Sequence, residues 1–446
     1  MSLRCVSTPY VASWYGRTSW RAAVGLTALM IALWLAGCGG RSACPACEQP
    51  VHQPAMQEAC ALSETAMATA FQNAFTRVEG KTAMLLLSGG GAHGAWGAGV
   101  LNGWHDTPPF QIVTGISTGA LIATFAFLGE AYDELLKQFY TGVSSQDIIH
   151  RRPVLSLLFA DSLYSMAPLK RLLDEQLTEA RIDAVARTAT EEGRQLWVGT
   201  VNLDTGAFCA WNLTQIAQQR AYTLYRQIVL ASASMPVLTS PVEIDGALHV
   251  DGGTRLQVFG RSVLNRMVSA YQGVQRRRAA PPETRQDELT IYVIINGKLI
   301  VENTCVRDAL FDIGVRSLSV VLHEALLGNL FRLQETFGGQ QSSARVRFQA
   351  TWIPEDYCLD FDSFEFDTAK MQRLFDAGVA WGQQQLWRDD ITPQLEVSPR
   401  PCQCTAAESR KNTATFHASL PTSVSPSLAH VPPGSSPQPP LPARGW

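Results

Sequence analysis

The amino-acid sequence predicts an α/β fold, a three-layer sandwich in which a mostly parallel central sheet is covered by helices on both faces. Apolar runs such as 83–87 are short and continuous, which is typical of strands buried in a parallel sheet. Strand-like and helix-like segments alternate from residue 81 to about 390. This stretch of about 310 residues is long enough to form one large domain.

The predicted elements follow one another along this stretch. A helix at 61–78, with apolar residues at near-helical intervals, leads into the strand at 83–88. A strand at 110–113 and a helix at 120–128 come next. The later predicted elements are helices at 132–139 and 168–177, strands at 195–202 and 289–295, helical stretches between 305 and 337, a strand at 346–353 and a helix at about 367–386.

Ser117 stands at the junction between the strand at 110–113 and the helix at 120–128. The motif reads Gly115-Ile116-Ser117-Thr118-Gly119. This order predicts a tight turn with the serine at its apex, where the hydroxyl stands clear of the backbone. Gly115 and Gly119 allow the strand and the helix to approach closely. Ser117 is therefore a candidate nucleophile, although a serine that merely caps a helix gives the same pattern.

A block of glycines follows the strand at 83–88. It reads Gly89-Gly90-Gly91-Ala92-His93-Gly94. Where side chains are absent the backbone comes close to a ligand, and consecutive N–H groups form an anion-binding nest. The spacing also fits a dinucleotide-binding loop, but that motif requires an acidic residue about twenty positions later, and 110–116 contains none. We therefore expect an oxyanion loop and no cofactor.

A third motif, Asp251-Gly252-Gly253, follows the segment 244–250. Asp-Gly-Gly is often no more than a turn. Just before it, however, an apolar strand or helix at 228–230 passes into the small residues 231–234. Together these segments predict a second place where backbones approach closely.

Taken in order, the three motifs resemble those of the patatin-like phospholipases, a family of serine acyl hydrolases. The resemblance covers roughly 82–385. It implies a patatin-like sandwich and a catalytic dyad instead of a triad, with Ser117 as nucleophile and Asp251 as base. The N–H groups that it implies for the oxyanion are those of Gly90, Gly91, Ala92 and Thr118. The residues that support the motifs are Gly89, His93, Gly94, Gly115, Gly119, Gly252 and Gly253.

The chain departs from the family pattern at three positions. His93 stands where the family has Arg or Lys, and Gln257 and Phe259 replace the Asn and Pro that often follow Asp-Gly-Gly. A largely neutral histidine supplies less positive charge at pH 7 than an arginine does. These departures concern the oxyanion site and the head-group preference, and they leave the dyad intact.

Two other classes of protein stay open at this point. A Ser-His-Asp esterase of the α/β-hydrolase type shares the serine motif and requires a histidine late in the chain. His249 and His323 meet that order, although neither lies in a glycine-rich or loop-like context. The other alternative is a non-catalytic, lipid-anchored binding protein.

Metal and nucleic-acid chemistry have little support in the sequence. His323-Glu324 begins like a zinc-binding helix motif, but Leu327 occupies the place of the second ligand, so no metal is expected. With 36 basic and 39 acidic residues the chain has no overall field that attracts polyanions. The run 276–278 of three arginines is predicted to lie in a solvated loop.

The first 37 residues predict a lipoprotein signal peptide. An uncharged stretch at 22–36 follows three arginines and is too short to span a bilayer comfortably. Leu35-Ala36-Gly37-Cys38 is similar to a bacterial lipobox, in which Cys38 becomes the lipidated first residue. An uncleaved anchor helix is the alternative, and either arrangement tethers the domain to a membrane. We expect export to the outer membrane, with a membrane phospholipid or another lipid ester as substrate.

The predicted order of domains is a signal peptide at 1–37, a tether and lead-in helix at 38–80, the acyl hydrolase domain at 81–390 and a tail at 391–446. The tail contains eight prolines between Pro421 and Pro442 and is predicted to be disordered. Among the ten cysteines, Cys44 and Cys47 are expected to form a local disulfide or to stay free thiols. The sequence pairs none of the others and indicates no protein partner.

Overall fold

The computed structural model describes residues 64–391, apart from 153–160, 279–286, 302–305, 307 and 338–344. The predicted signal peptide, Cys38, the first part of the predicted tether and the predicted tail beyond residue 391 lie outside the described residues. Cys44 and Cys47 lie outside them as well.

The helices occupy the intervals between strands, as the alternation in the sequence predicts. They are α1 (Glu64–Thr76), α2 (Gly94–Gly103), α3 (Thr118–Leu128), α4 (Asp133–Thr141), α5 (Ser145–Ile148), α6 (Ala167–Gln176), α7 (Glu179–Glu192), α8 (Leu213–Gln218), α9 (Tyr222–Ser232), α10 (Arg261–Arg277), α11 (Leu310–Phe337) and α12 (Thr368–Gln383). Among these, no helix has both the length and the apolar character needed to cross a membrane.

The strands form one large sheet and one small one. They are β1 (Lys81–Leu87), β2 (Phe110–Gly115), β3 (His150–Arg151), β4 (Tyr164–Ser165), β5 (Gln195–Asn202), β6 (Phe208–Asn212), β7 (Val242–Ile244), β8 (Ala247–Asp251), β9 (Glu288–Ile295) and β10 (Arg345–Trp352). The large sheet has the order β10-β9-β1-β2-β5-β8-β7, with β6 paired to β5, while β3 and β4 pair separately. The first five strands of that order are parallel, and β6 and β8 run antiparallel to β5.

Two hydrophobic cores lie on opposite faces of this sheet. Alternate residues of β1 enter each core, Leu85 and Leu87 on one face and Met84 and Leu86 on the other. The first core is completed by large side chains of four helices: Trp96 of α2, Phe125 of α3, Tyr225 of α9 and Phe375 of α12. The second is completed by Phe71 of α1, Tyr271 of α10 and Leu330 of α11. The predicted three-layer sandwich with a mostly parallel sheet is thus confirmed.

The helices α2 and α12 pack backbone against backbone. A Cβ on Gly99 or Gly103 of α2 would lie 2.1 Å from the carbonyl oxygen of Phe375 or Val379, respectively. Gly378 of α12 meets α2 in the same way, since its Cβ would lie 2.4 Å from the oxygen of Trp96. These glycines are therefore required by close approach of two helices.

The prediction for the arginine run is wrong in one respect. Arg276 and Arg277 lie in the last turn of α10, and only Arg278 follows the helix. Cations are favourable at this position because the carbonyl end of a helix carries partial negative charge. Arg276 and Arg277 are both exposed to solvent, as expected, but they lie in a helix and not in a loop.

Candidate active site

Ser117 sits at the junction of β2 and α3 in a strained backbone conformation. Its φ of 57° and ψ of −126° are rare for a residue with a side chain. A Cβ on Gly115 would lie 2.3 Å from the oxygen of Gly119, and one on Gly119 would lie 2.5 Å from the oxygen of Leu87. The turn predicted from the motif is therefore present, and both glycines are sterically required.

The strained turn is held by Ser232, the last residue of α9. The Oγ of Ser232 accepts a hydrogen bond from the N–H of Ser117 at 3.0 Å and donates one to the carbonyl of Gly199 at 2.7 Å. All three residues are buried. The small residues 231–234 stand out in the sequence, but the sequence assigns Ser232 no role, because its distance from Ser117 in the fold cannot be read from the chain.

Asp251 ends β8 and is brought to Ser117 by the antiparallel pairing of β8 with β5. Its N–H donates to the carbonyl of Ser234 at 2.8 Å, and its Oδ1 accepts from the N–H of Gly253 at 2.7 Å. The side chain is 1% exposed. The two residues of the expected dyad are thus neighbours, although 134 positions separate them.

The carboxyl of Asp251 has the protonation behaviour of a base. Burial raises its pKa to about 7, against the opposing effects of the Ser117 hydroxyl and the Gly253 N–H. Its Oδ2 is buried and makes no hydrogen bond of normal geometry within the described residues. The Ser117 hydroxyl is therefore near enough to lower the pKa of the carboxyl without forming a hydrogen bond of normal geometry with Oδ2, and such bonds are often long in active sites before substrate binds.

The glycine block forms a loop between β1 and α2. Gly90 has a φ of 151° and Gly91 a φ of 55°. A Cβ on Gly90 would lie 2.0 Å from the carbonyl oxygen of Asn296, so no other residue fits there. Within the described part of the chain, the N–H groups of Gly90, Gly91 and Thr118 donate to no acceptor. These three groups are available to an oxyanion.

Ala92 differs from the expectation. Its N–H donates to the carbonyl of Ser363 at 2.8 Å and is therefore not a free donor in this structure. The reason is that the segment between β10 and α12 lies against the glycine loop, where a Cβ on Gly91 would also lie 2.0 Å from the Ser363 oxygen. This contact joins residues 271 positions apart, which sequence patterns do not reveal.

Asn296, immediately after β9, holds the glycine loop in place. Its N–H and its Nδ2 donate to the Oγ and the carbonyl of Ser88, both at 2.8 Å. Its Oδ1 accepts from the N–H of Gly97 in the first turn of α2 at 3.1 Å. Sequence reasoning missed this residue, although a polar side chain directly after a buried strand was an available signal.

His93 is neutral and structural. Burial lowers its pKa, and the carbonyl of Phe361 accepts its Nε2–H at 3.1 Å. The hydrogen bond to Phe361 and the charge of Asp362 oppose the effect of burial on this pKa, and Lys298 adds a smaller lowering, so the net direction is downward. His93 therefore supplies no cationic charge at the position where the family has Arg or Lys.

The remaining motif glycines are needed for close contacts at the same place. A Cβ on Gly94 would lie 2.1 Å from the Oγ1 of Thr118, and one on Gly252 would lie 2.6 Å from the oxygen of Gly199. Tyr140 of α4 contacts Thr118 through its hydroxyl, 2.5 Å from the Oγ1 and 3.1 Å from the carbonyl oxygen. Thr118, the residue after the nucleophile, is thereby fixed from two sides.

The two histidines of the triad alternative have other partners. The Nδ1 of His249 pairs with the Oγ1 of Thr200 at 3.0 Å, and burial lowers the pKa of His249 to about 4. The Nε2 of His323 donates to the carbonyl of Leu299 at 3.2 Å. Within the described residues, neither histidine forms a hydrogen bond with Ser117 or Asp251. Within the described residues there is also no cluster of three side chains suited to a metal ion.

Fold and site together define an α/β protein with a buried serine on a strand-to-helix turn at the carboxyl edge of the parallel strands. Residues 85–259 match the family model described as Patatin-like phospholipase, so the chain carries a patatin-like phospholipase domain. The resemblance read from the three motifs is thereby confirmed, and the family supports a lipid acyl hydrolase.

Other comparisons add little. No curated protein matches the chain significantly. Among solved structures the chain is similar to VipD from Legionella pneumophila, with 12% identity over 70% of this chain and 68% of that chain and a TM-score of 0.33. A similarity this weak supports no inference about activity.

Proposed function

We propose that the protein is a membrane-tethered serine acyl hydrolase that cleaves the acyl esters of lipids through an acyl-Ser117 intermediate. The observation that carries the proposal is the buried Asp251 carboxyl, with a pKa raised to about 7, next to the Ser117 hydroxyl. A carboxylate of this basicity is suited to take a proton from an alcohol near neutral pH.

The reaction has two half-reactions in which the same groups act. Asp251 accepts the proton of Ser117 as the Oγ attacks the ester carbonyl carbon. The resulting oxyanion is bound by the N–H groups of Gly90, Gly91 and Thr118. When the C–O bond breaks, protonated Asp251 gives its proton to the leaving alcohol. A water then attacks the acyl-enzyme, Asp251 takes its proton, and the carboxylic acid leaves as Ser117 recovers a proton.

Lipid as the substrate is supported by the family match at 85–259. Tethering through Cys38 and an outer-membrane location are supported by the lipobox-like sequence at 35–38. Cys209 of β6 is disulfide-bonded, which fits an oxidising compartment outside the cytosol. Cys358, by contrast, is an exposed free thiol.

The enzyme proposal is tested by hydrolysis of a short-chain nitrophenyl ester by the purified protein. The Ser117→Ala variant is expected to lose at least 1,000-fold in kcat, as is typical when a catalytic nucleophile is removed. Ser317→Ala, at an exposed position of α11, is the matched control and is expected to retain the wild-type rate. Equal rates for wild type and Ser117→Ala would refute the enzyme and leave a lipid-anchored binding protein.

The substrate and tether proposals require separate measurements. Products released from mixed phospholipid vesicles identify the ester bond that is cleaved. Incorporation of radiolabelled palmitate in a bacterial host, lost in Cys38→Ser, tests the lipid anchor. Membrane fractionation of the two forms then tests the outer-membrane location.

A further inference from the structure

Gln257 lies between the glycine loop and the turn that carries Asp251. Its side chain is almost fully buried. Its backbone carbonyl accepts a hydrogen bond from the N–H of Gly89 at 3.1 Å. Its Nε2 donates to the carbonyl of Gly253 at 3.0 Å. One residue therefore contacts both of the loops that the proposed reaction uses.

The side-chain amide of Gln257 also lies close to the reacting groups. A Cβ on Gly89 would be 2.6 Å from the Oε1 of Gln257 and 3.3 Å from the Cβ of Ser117. A Cβ on Gly253 would be 2.8 Å from the Nε2 of Gln257 and 2.9 Å from the Oδ1 of Asp251. The oxygen end of the amide thus lies on the nucleophile side, and the nitrogen end lies on the base side.

Gly253 is the link between Gln257 and Asp251. Its N–H holds the Oδ1 of Asp251 at 2.7 Å, which leaves Oδ2 as the oxygen for Ser117. Glycine has the freest backbone of all residues, so this N–H needs a further restraint to keep one orientation. The hydrogen bond from Gln257 to the carbonyl of Gly253 is such a restraint.

We propose that Gln257 is a positioning residue for the dyad. Its side-chain amide fixes Gly253 and, through it, the orientation of the Asp251 carboxylate. Its backbone carbonyl at the same time fixes Gly89 at the start of the glycine loop. The inference rests on the proposed function, because it assigns Gln257 a part in the reaction of Ser117 with Asp251.

Two variants of the full chain separate positioning from packing. Gln257→Met nearly preserves the length and volume of the side chain and keeps the backbone hydrogen bond, but it removes the amide. Gln257→Glu preserves the shape and places a carboxyl group beside Asp251. Gln384→Met is the matched control, because the Nε2 of Gln384 donates to a backbone carbonyl, that of Ala380, at 3.1 Å on an exposed helix end.

The pH dependence of nitrophenyl ester hydrolysis is the main measurement. For Gln257→Met we expect kcat to fall about tenfold with KM within about twofold of wild type. The acid limb of its pH–rate profile should move to higher pH by about half a unit, because a loosened Gly253 N–H no longer lowers the pKa of Asp251 as strongly. For Gln257→Glu the added like charge should move the acid limb up by about one unit or more. Gln384→Met should retain the wild-type profile.

Wild-type kcat in Gln257→Met, or a wild-type acid limb in Gln257→Glu, overturns the proposal. So does a lower melting temperature in either variant without a change in the pH profile, since this is the signature of packing alone. Failure of the proposed function is recognised separately, because the wild type then shows no hydrolysis that depends on Ser117. In that event the carbon-13 shift of the Asp251 carboxyl, titrated in wild type and Gln257→Met, decides the matter: equal midpoints reject the positioning role, and a higher midpoint in the variant supports it.

Discussion

The hydroxyl of Ser232 accepts the backbone N–H of Ser117 at 3.0 Å and thereby holds the nucleophile in a conformation that residues with side chains rarely adopt. Two positions later, the carbonyl of Ser234 accepts the N–H of Asp251 at 2.8 Å. The short segment that ends α9 therefore fixes the backbones of both members of the proposed dyad.

Removal of the Ser232 hydroxyl is expected to affect stability and turnover together. Ser232→Ala leaves the buried N–H of Ser117 without its acceptor, which should lower the free energy of unfolding by about 1–3 kcal/mol. Because the turn then relaxes, we also expect kcat to fall about tenfold. Denaturant unfolding and ester hydrolysis measure the two effects. Ser145→Ala is the control, because the hydroxyl that it removes lies away from the site and donates to the carbonyl of Phe366 at 3.2 Å. This variant should retain wild-type kcat. Full activity in Ser232→Ala would show that other contacts hold the turn.

Replacement of Asp251, the proposed base, should abolish turnover and, at the same time, stabilise the protein. The pKa of Asp251 is about 7 in the folded protein and about 3.9 in an unfolded chain. As the pH rises between these values, the unfolded chain releases a proton that the folded protein retains, so stability decreases and the loss is complete above pH 7. Asparagine does not ionise, so the stability advantage of Asp251→Asn should grow by about 2–3 kcal/mol from pH 5 to pH 8.

Denaturant unfolding at the two pH values tests this prediction. Asp356→Asn, at an exposed position, is the control and should show no such growth. An Asp251→Asn variant that is less stable than the wild type at pH 8 would contradict the burial of an ionisable base.

The acid limb of the pH–rate profile should have its midpoint near pH 7. Protonated Asp251 cannot accept the proton of Ser117, so kcat/KM should fall tenfold per pH unit below its pKa of about 7. His249, with a pKa lowered to about 4, titrates too low to produce this limb. His323→Gln should leave both the rate and the limb unchanged. A rate that depends on His323 would instead favour a histidine triad.

The glycine loop should tolerate no side chain at its first strained position. In Gly90→Ala the new Cβ would meet the carbonyl oxygen of Asn296 at 2.0 Å, at a φ of 151° that alanine avoids. We expect a loss of more than about 2 kcal/mol in stability and of at least 100-fold in kcat. Gly297→Ala is the control, because a Cβ there meets no atom within 4 Å. Calorimetry measures the stability of the two variants, and ester hydrolysis measures their kcat. Equal stability and equal kcat would contradict the close contact at Gly90.

Much of this fold could be predicted from local pattern. The strand at 195–202 was placed to the residue, and 289–295 and 346–353 within one residue of β9 and β10. The strands at 195–202 and 289–295 are rich in β-branched, aromatic and other apolar residues, whereas 346–353 alternates apolar and polar residues, and both patterns are typical of strands in a buried or half-buried sheet. The turn at Ser117 could be predicted because both of its glycines belong to one short motif, although the contact that requires Gly119 is with Leu87 of β1.

What the sequence did not show is the set of contacts between distant segments. Ala92 was expected to be a free donor, but the carbonyl of Ser363 binds its N–H. Asn296 and Ser232 support the site through hydrogen bonds that span about 200 and 115 positions. Pairings of this kind depend on the order of strands in the sheet, which no local pattern specifies.

The glycine-lined crossing of α2 and α12 limits how far the chain can be shortened. The stretch matched by the family ends at Phe259, yet β1 pairs along its full length with β9, which comes later. A fragment that ends at Phe259 would lack β9 and α12. It would expose the edge of β1 that pairs with β9 and the face of α2 that packs against α12, and it should associate with other chains instead of folding. Transfer of the domain into another protein therefore requires the polypeptide through Ile391, whose side chain is 1% exposed.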